Sequence, residues 1–248
     1  MKIAVIGAGG FVGSRLVKKL QSEGHEVGAH DRSTGVDLLT GEGVPEALAG
    51  AEAVVNTIDA PSFDEDAAPF FRTTTQTLLR AADEARVGKV VLLSIVGIDQ
   101  VPDVAYYRAK LEQERLVEAG PVPYTIVRAT QFMDFVEPIM SWTTSGDTVR
   151  LPTTRLQPVA VEDVVGTLAE AAATPPRNGI VNVAGPDVFA LDDLGRLTLR
   201  VHPDGREVTV DENAGLFGQV PHDAIVAPPD AHLGTTSYEQ WLQRSHHA

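Results

Sequence analysis

The chain contains no cysteine, which removes disulfides, thiolate metal sites and cysteine nucleophiles from consideration. No apolar run comes near the roughly 20 residues that a membrane-crossing helix needs, so no membrane partner is expected. Basic residues are scarce as well. Twenty Lys and Arg against 34 Asp and Glu leave a formal charge of −14, with no basic cluster to offset it. Such a surface repels a phosphate backbone and excludes nucleic acid as a partner. The amino end shows one lysine and then directly "IAVIG", without a signal-peptide cleavage region, so a soluble, cytoplasmic protein is expected. His246 and His247 sit at a frayed end. The other histidines have neither the spacing of a zinc helix nor a carboxylate partner, and no metal is expected.

What is present is enough for a sizeable core. The chain has 248 residues, 43% of them hydrophobic, which fits one large domain. Short apolar segments alternate with amphipathic ones. "KIAVIG", "HEVGAH", "AEAVVNTI", "KVVLLSIVG" and "VPYTIVRA" read as strands. Phe11 to Ser22, with Val12, Leu16, Val17 and Leu20 on one face, reads as a helix, as do about Asp66 to Ala85 and Tyr106 to Ala119. Strands that are apolar throughout belong to a parallel sheet covered on both faces. The right-handed crossover rule then predicts an α/β, Rossmann-type doubly wound sheet. Beyond Phe132 the pattern loosens into "VEDVVGTLAEAAA", "GIVNVAG" and "ALDDLGRLTLRV". Residues 1–248 thus read as a single domain, of which about 132–248 form a small cap for substrate.

The stretch "VIGAGGFVGSRL" places Gly7, Gly10 and Gly13 between the first strand and the first helix. At that junction a tight turn lets main-chain amides meet a pyrophosphate. Gly7 permits the turn, Gly10 a close approach of the backbone, and Gly13 close packing of helix on strand, with Phe11 and Val12 between them on the cofactor. Asp31, ending the second strand, lies 18 residues beyond Gly13, close to the spacing of about 20 at which an acidic residue holds the adenosine ribose. Arg32 follows at once and can pair with a 2′-phosphate. The two point in opposite directions, and NADP(H) is favoured with NAD(H) as the alternative. Asp37 and Leu38 are candidates to contact the adenine.

These residues carry a resemblance. "GAGGFVG", "LLSIVGID", "YYRAK", "YTIVRATQF", "QPVAVEDVV" and "VNVAGPD" together resemble the atypical short-chain dehydrogenase/reductase superfamily, nearest its NmrA-like, NAD(P)-binding group, over nearly the whole length. The resemblance implies that Thr57 to Ala60, Ile58 included, line the cofactor cleft and that Arg128 to Phe132 lie beside the nicotinamide. It also implies a Ser, Tyr and Lys site, matched here by Ser94, Tyr106 and Lys110. Tyr106 and Lys110 are four apart, one helical turn. A free phenol, with a pKa near 10, is a poor acid or base at neutral pH. A nearby ammonium is expected to lower it, so that Tyr106 passes a proton to a carbonyl oxygen held by Ser94, while Lys110 also binds the nicotinamide ribose. Helical phase puts Tyr107 on the core stripe with Val104 and Leu111, and Tyr106 on the flank of Lys110.

Gln131 and Phe132 are the candidates for shaping the substrate pocket, and Met133, Phe135, Met140 and Trp142 offer apolar surface for a bulky substrate. The expected activity is an NAD(P)H-dependent reduction of a carbonyl or conjugated carbonyl on a small organic molecule. A non-catalytic dinucleotide sensor and a non-redox isomerase or cyclase that keeps the same tyrosine are the alternatives. Nothing in the sequence decides the oligomeric state.

Overall fold

A computed structural model describes residues 1–245; His246 and His247 lie outside the described residues. In chain order the elements are β1 (Lys2–Ile6), α1 (Phe11–Ser22), β2 (Glu26–His30), α2 (Val44–Leu48), β3 (Ala53–Asn56), α3 (Ala67–Glu84), β4 (Val90–Ile95), α4 (Ala105–Glu118), β5 (Tyr124–Ala129), α5 (Val136–Trp142), β6 (Thr144–Ser145), β7 (Thr148–Leu151), β8 (Arg155–Leu156), α6 (Val161–Ala173), β9 (Gly179–Ala184), β10 (Phe189–Ala190), α7 (Leu191–Val201), β11 (Glu207–Val210), β12 (His232–Leu233) and α8 (Tyr238–Ser245).

Strand β1 is buried from its second residue onward and pairs in parallel on both sides, Val5 opposite Ala29 of β2 and Val55 of β3. A strand covered on both faces has no solvent side, so its apolar residues run without alternation. The neighbouring β3 is buried at every position. The main sheet has seven strands in the order β12-β9-β5-β4-β3-β1-β2, the Rossmann-type arrangement that the alternation predicts. With β2 on one side of β1 and β3 on the other, the order reverses at β1, and open sheets bind ligands at the carboxyl ends of strands beside such a reversal.

The chain divides into two compact units. One comprises Met1–Ser94, Ala105–Arg128 and Val164–Val181. Its core joins Ile6, Val54, Leu92 and Ile126 of the strands to Leu48, Leu78 and Val117 of the helices. Helix α4 is the exception to amphipathic order, because Tyr106, Tyr107, Lys110, Gln113 and Glu114 all face inward. A helix that turns polar groups inward must find each of them a partner there.

The other unit comprises Ile95–Val104, Ala129–Asp163 and the chain from Asn182 onward. It contains a three-stranded sheet, β11-β7-β6, and the pair β10-β8. Val149 and Leu151 of β7 are fully buried, with Leu191 and Leu194 of α7. Thr198 of α7 and the Tyr238 hydroxyl of α8 are hydrogen-bonded at 2.8 Å. No helix among the described residues is long and apolar enough to cross a membrane.

Candidate active site

After β1 the chain turns at Gly7, whose φ of +86° lies in the left-handed region open to glycine. A Cβ there would meet Thr57 Oγ1 at 2.9 Å and the Ile58 amide at 3.1 Å, so the turn after β1 touches the loop after β3. Gly13, in the first turn of α1, faces the Gly7 carbonyl, and a Cβ on it would stand 2.1 Å from that oxygen. Only a residue without one lets the helix sit this close to the strand end. Gly10 is the extended N-cap of α1, with no side-chain cap and no acidic residue in the first turn. The helix therefore turns main-chain donors and the positive end of its dipole toward any anion held there. Val12 buries its side chain, which leaves it a main-chain amide to offer, and Phe11 carries the Arg15 guanidinium 4.3 Å above its ring.

Asp31 follows β2 directly. Its Oδ1 accepts from the Ser33 amide at 2.7 Å, the Ser33 hydroxyl at 2.5 Å and the Thr34 amide at 3.3 Å, and the Asp31 amide donates to Thr34 Oγ1 at 2.9 Å. This reciprocal cap leaves Oδ2 aimed at the glycine-rich turn, 2.5 Å from where a Gly9 Cβ would stand. The Ser33 hydroxyl, with the Ser33, Thr34 and Gly9 amides, holds the carboxyl below the usual aspartate range. Arg32 is exposed and has no ion pair among the described residues. Asp37 accepts from the Leu39 amide at 2.7 Å and Leu38 is part of the core, so these two hold the shape of the loop.

Toward the carboxyl end of β4, which runs parallel to β3, Ser94 is 2% exposed and its Oγ has no hydrogen-bond partner among the described residues. Lys110 is equally buried. Its Nζ donates to the carbonyl of Leu93, the residue before Ser94, at 2.9 Å and to Gln113 Oε1 at 2.6 Å, and lies 4.7 Å from the centre of the Phe71 ring. Gln113 passes the bonding on to Thr75 Oγ1 at 3.2 Å. Burial pushes the Lys110 ammonium down to about 8, against the opposing pull of the Asp59 and Glu114 carboxylates.

The Tyr106 hydroxyl donates to Asp59 Oδ1 at 2.5 Å. Its ring lies 5.0 Å from that of Phe63, 5.9 Å from Phe71 and 6.3 Å from Tyr107. The expectation that an ammonium lowers this phenol is corrected here. Lys110 spends its bonds on Leu93 and Gln113, and the phenol meets a carboxylate instead. Burial first, then the charge of Asp59 and its hydrogen bond, raise the phenol above its usual value. Helical phase does not separate the two tyrosines either, because Tyr106 and Tyr107 are both buried. Arg128 turns back to α4, where its guanidinium grips Glu114 at 2.9 and 2.6 Å. Nothing in the sequence singled out Asp59 as a tyrosine partner or Gln113 as a lysine partner. The only signal for Asp59 is a carboxylate just past a strand end.

Asn56, at the end of β3 and 1% exposed, accepts from the Ile58 amide at 3.1 Å through Oδ1, while its buried Nδ2 has no partner among the described residues. Thr57 Oγ1 donates to the Ile6 carbonyl at 3.0 Å, which stitches the two loops together. In the second unit, Gln131 and Phe132 lie on a segment that pairs with Val159, with the Val159 amide donating to the Gln131 carbonyl at 2.9 Å. Both polar atoms of the Gln131 side chain are buried without a partner among the described residues, and the Phe132 ring lies tilted against that of Phe135, 5.8 Å between centres. Met133 and Met140 are core residues, whereas Phe135 and Trp142 are exposed.

These features fit a dinucleotide. The Gly7 and Gly13 contacts would be filled by any side chain, Asp31 is aimed at the turn between them and β2, and Ser94 and Asn56 keep buried polar atoms unpaired. Residues 7–175 match a family described as NAD(P)H-binding. The chain is 27% identical over 165 residues to an isoflavone reductase homolog from Nicotiana tabacum, covering 55% of this chain and 50% of the relative. The chain thus spans about half the length of the curated relatives it matches. Among solved structures, MoeE5 in complex with UDP-glucose and NAD superposes with a TM-score of 0.72 at 20% identity, with 100% of both chains covered. A short-chain dehydrogenase/reductase superfamily protein from Agrobacterium tumefaciens with bound NAD gives 0.72 at 17% identity, covering 99% of this chain and 96% of the other. At these identities the two structures speak for the fold.

Proposed function

This chain belongs to the NAD(P)H-binding family, and on that footing we propose that it is a cytoplasmic oxidoreductase reducing a carbonyl or conjugated carbonyl on a small, apolar organic molecule. The observation that carries the proposal is the buried group around β4 and α4: Ser94 Oγ without a partner, and Lys110 bonded to the carbonyl of the residue before it. A buried hydroxyl left unpaired costs stability and is kept where a ligand completes it.

The amides at the start of α1, between Gly10 and Gly13, would hold the pyrophosphate, and Asp31 the adenosine ribose. Thr57, Ile58 and Asn56 would line the cleft. When bound, the dinucleotide supplies the hydride. The chain's own residues do the rest. Ser94 donates to the substrate oxygen, and Tyr106, kept protonated by burial and by Asp59, is the proton source once its hydroxyl turns from the carboxylate. Lys110 holds the end of β4 in place through its bond to the Leu93 carbonyl.

For the adenosine end, the reading reverses the sequence-based preference and favours NAD(H) over NADP(H). Asp31 is fixed and ionised beside the glycine-rich turn, where a carboxylate accepts ribose hydroxyls and repels a 2′-phosphate. The tying of both Tyr106 and Lys110 to protein partners favours a second reading, a dinucleotide sensor without turnover. Purified protein assayed with NADH against ketones, quinones and enones separates the two. Oxidation of NADH that disappears in Tyr106→Phe supports the reductase, and binding without oxidation across the panel overturns it. Turnover that spares NADH yet needs Tyr106 selects a non-redox isomerase or cyclase.

A further inference from the structure

A neutral phenol has one hydrogen to donate and lone pairs with which to accept. In Tyr106 that hydrogen is already committed to Asp59 Oδ1. The carboxylate is itself fixed, since the Ala60 amide donates to the same oxygen at 2.8 Å. The segment after it is tied down as well. Phe63 packs its ring on the phenol at 5.0 Å, and Glu65 pairs with Arg108 of α4 at 2.6 Å. The tyrosine oxygen therefore stands with its lone pairs uncommitted and its proton pointed away. No protein group donates to it among the described residues.

We propose that Asp59 sets the polarity of the Tyr106 hydroxyl, making its oxygen an acceptor for a hydroxyl on the ligand, so that this site takes an alcohol in preference to the matching ketone. The inference rests on the reading that Tyr106 meets the substrate oxygen. An alcohol donates to the phenol oxygen while Asp59 keeps the phenol proton, and every group is satisfied. A ketone brings only lone pairs to face lone pairs, and binds there only after the Asp59 bond breaks. Ser94 does not discriminate, because its hydroxyl can donate to either oxygen. Asp59 is on this account a positioning residue that acts through Tyr106 and decides which oxidation state of the substrate the protein holds at rest.

The test uses 1-phenylethanol and acetophenone, a matched pair whose ring suits the exposed Phe63 ring beside the tyrosine. Both are titrated by ligand-observed NMR into the protein saturated with ADP-ribose, which fills a dinucleotide site without a nicotinamide, so no turnover occurs. The alcohol is expected to bind about tenfold more tightly, or about 1.4 kcal/mol. Asp59→Ala should bring the ratio to one or below. The ultraviolet titration of the buried tyrosines should move to lower pH in that variant, since a like charge has gone. Wild-type protein that binds the ketone as well as the alcohol, or that binds neither, overturns the proposal, and so does an Asp59→Ala variant that keeps the ratio. Tyr106→Phe distinguishes the two levels of failure. If it alters affinity for the probes while the wild-type ratio is one, Asp59 has been misread and the functional reading stands. If it alters neither affinity, Tyr106 does not face the ligand and the functional reading falls too.

Discussion

Replacing Gly13 by alanine sets two opposed effects against each other, and the structure says which wins. In a helix interior alanine is better than glycine by about 1 kcal/mol. At Gly13, however, the new Cβ would stand 2.1 Å from the Gly7 carbonyl oxygen and 2.9 Å from Thr57 Oγ1, where contacts below 3.0 Å essentially do not occur. The obstructing atom is main chain and cannot swing aside, so α1 must lift by about 0.9 Å, the difference between those two distances. Overpacking costs about 1–3 kcal/mol, and an obstruction by main chain that cannot swing aside belongs in the upper part of that range, at about 2–3 kcal/mol. The net loss is about 1–2 kcal/mol, or a melting temperature lower by roughly 2–8 °C for a chain of this size. Gly166, inside α6, is the control, because a Cβ there meets nothing within 4 Å. Gly166→Ala should raise the melting temperature by about 2–4 °C. Scanning calorimetry with and without NADH measures both effects. Because the lift displaces the turn at Gly7, Gly13→Ala should also lose most of the stabilisation that NADH gives the wild type. A Gly13→Ala protein as stable as the wild type, with the same response to NADH, would refute the reasoning.

Stability should depend on pH in a way that α4 dictates. Lys110 is pushed by burial from 10.5 down to about 8, so between those values the unfolded chain binds more protons and unfolding becomes harder as pH rises. Tyr106 and Tyr238 are raised, chiefly by burial, so above about pH 10 the unfolded chain loses phenol protons that the folded one keeps, and stability falls. Urea unfolding from pH 7.5 to 11 should therefore show a rise and then a fall, and Lys110→Met should lose the rise; a flat wild-type profile would contradict the burial of this lysine. At the adenosine end, Arg32→Ala should weaken NADPH more than NADH, and Asp31→Ser should shift the affinity ratio toward NADPH. Equal effects on both dinucleotides would show that these side chains do not read the ribose position.

The sheet was legible because its signal is local. Continuous apolar runs such as Ile3 to Ile6 and Val90 to Leu93 announce strands buried on both faces, and the helices over 67–84 and 105–118 lie within a residue of where periodicity puts them. The two-residue strands β6, β8, β10 and β12 were not legible, since two residues carry no period. The tight turn at Gly7 and the close approach at Gly13 were legible because both are backbone geometry at fixed spacing from a strand end. The chemistry of α4 was not. Whether Lys110 faces Tyr106 or the Leu93 carbonyl depends on Gln113, Thr75 and Asp59, and those partners come from separate segments of the chain. Helical phase assumes that one face of a helix is buried. In α4 the polar groups are buried as well, which hid the difference between a solvent-flank tyrosine and an enclosed one.

The central claim is that the glycine turn after β1, with Asp31 beside it, holds a dinucleotide. Isothermal titration calorimetry of the purified protein with NADH and with NADPH tests it most directly. The account predicts saturable binding of one dinucleotide per chain, tighter for NADH, and strongly weakened in Gly13→Ala. Absence of heat with both dinucleotides, under conditions where the protein melts cooperatively, would contradict it.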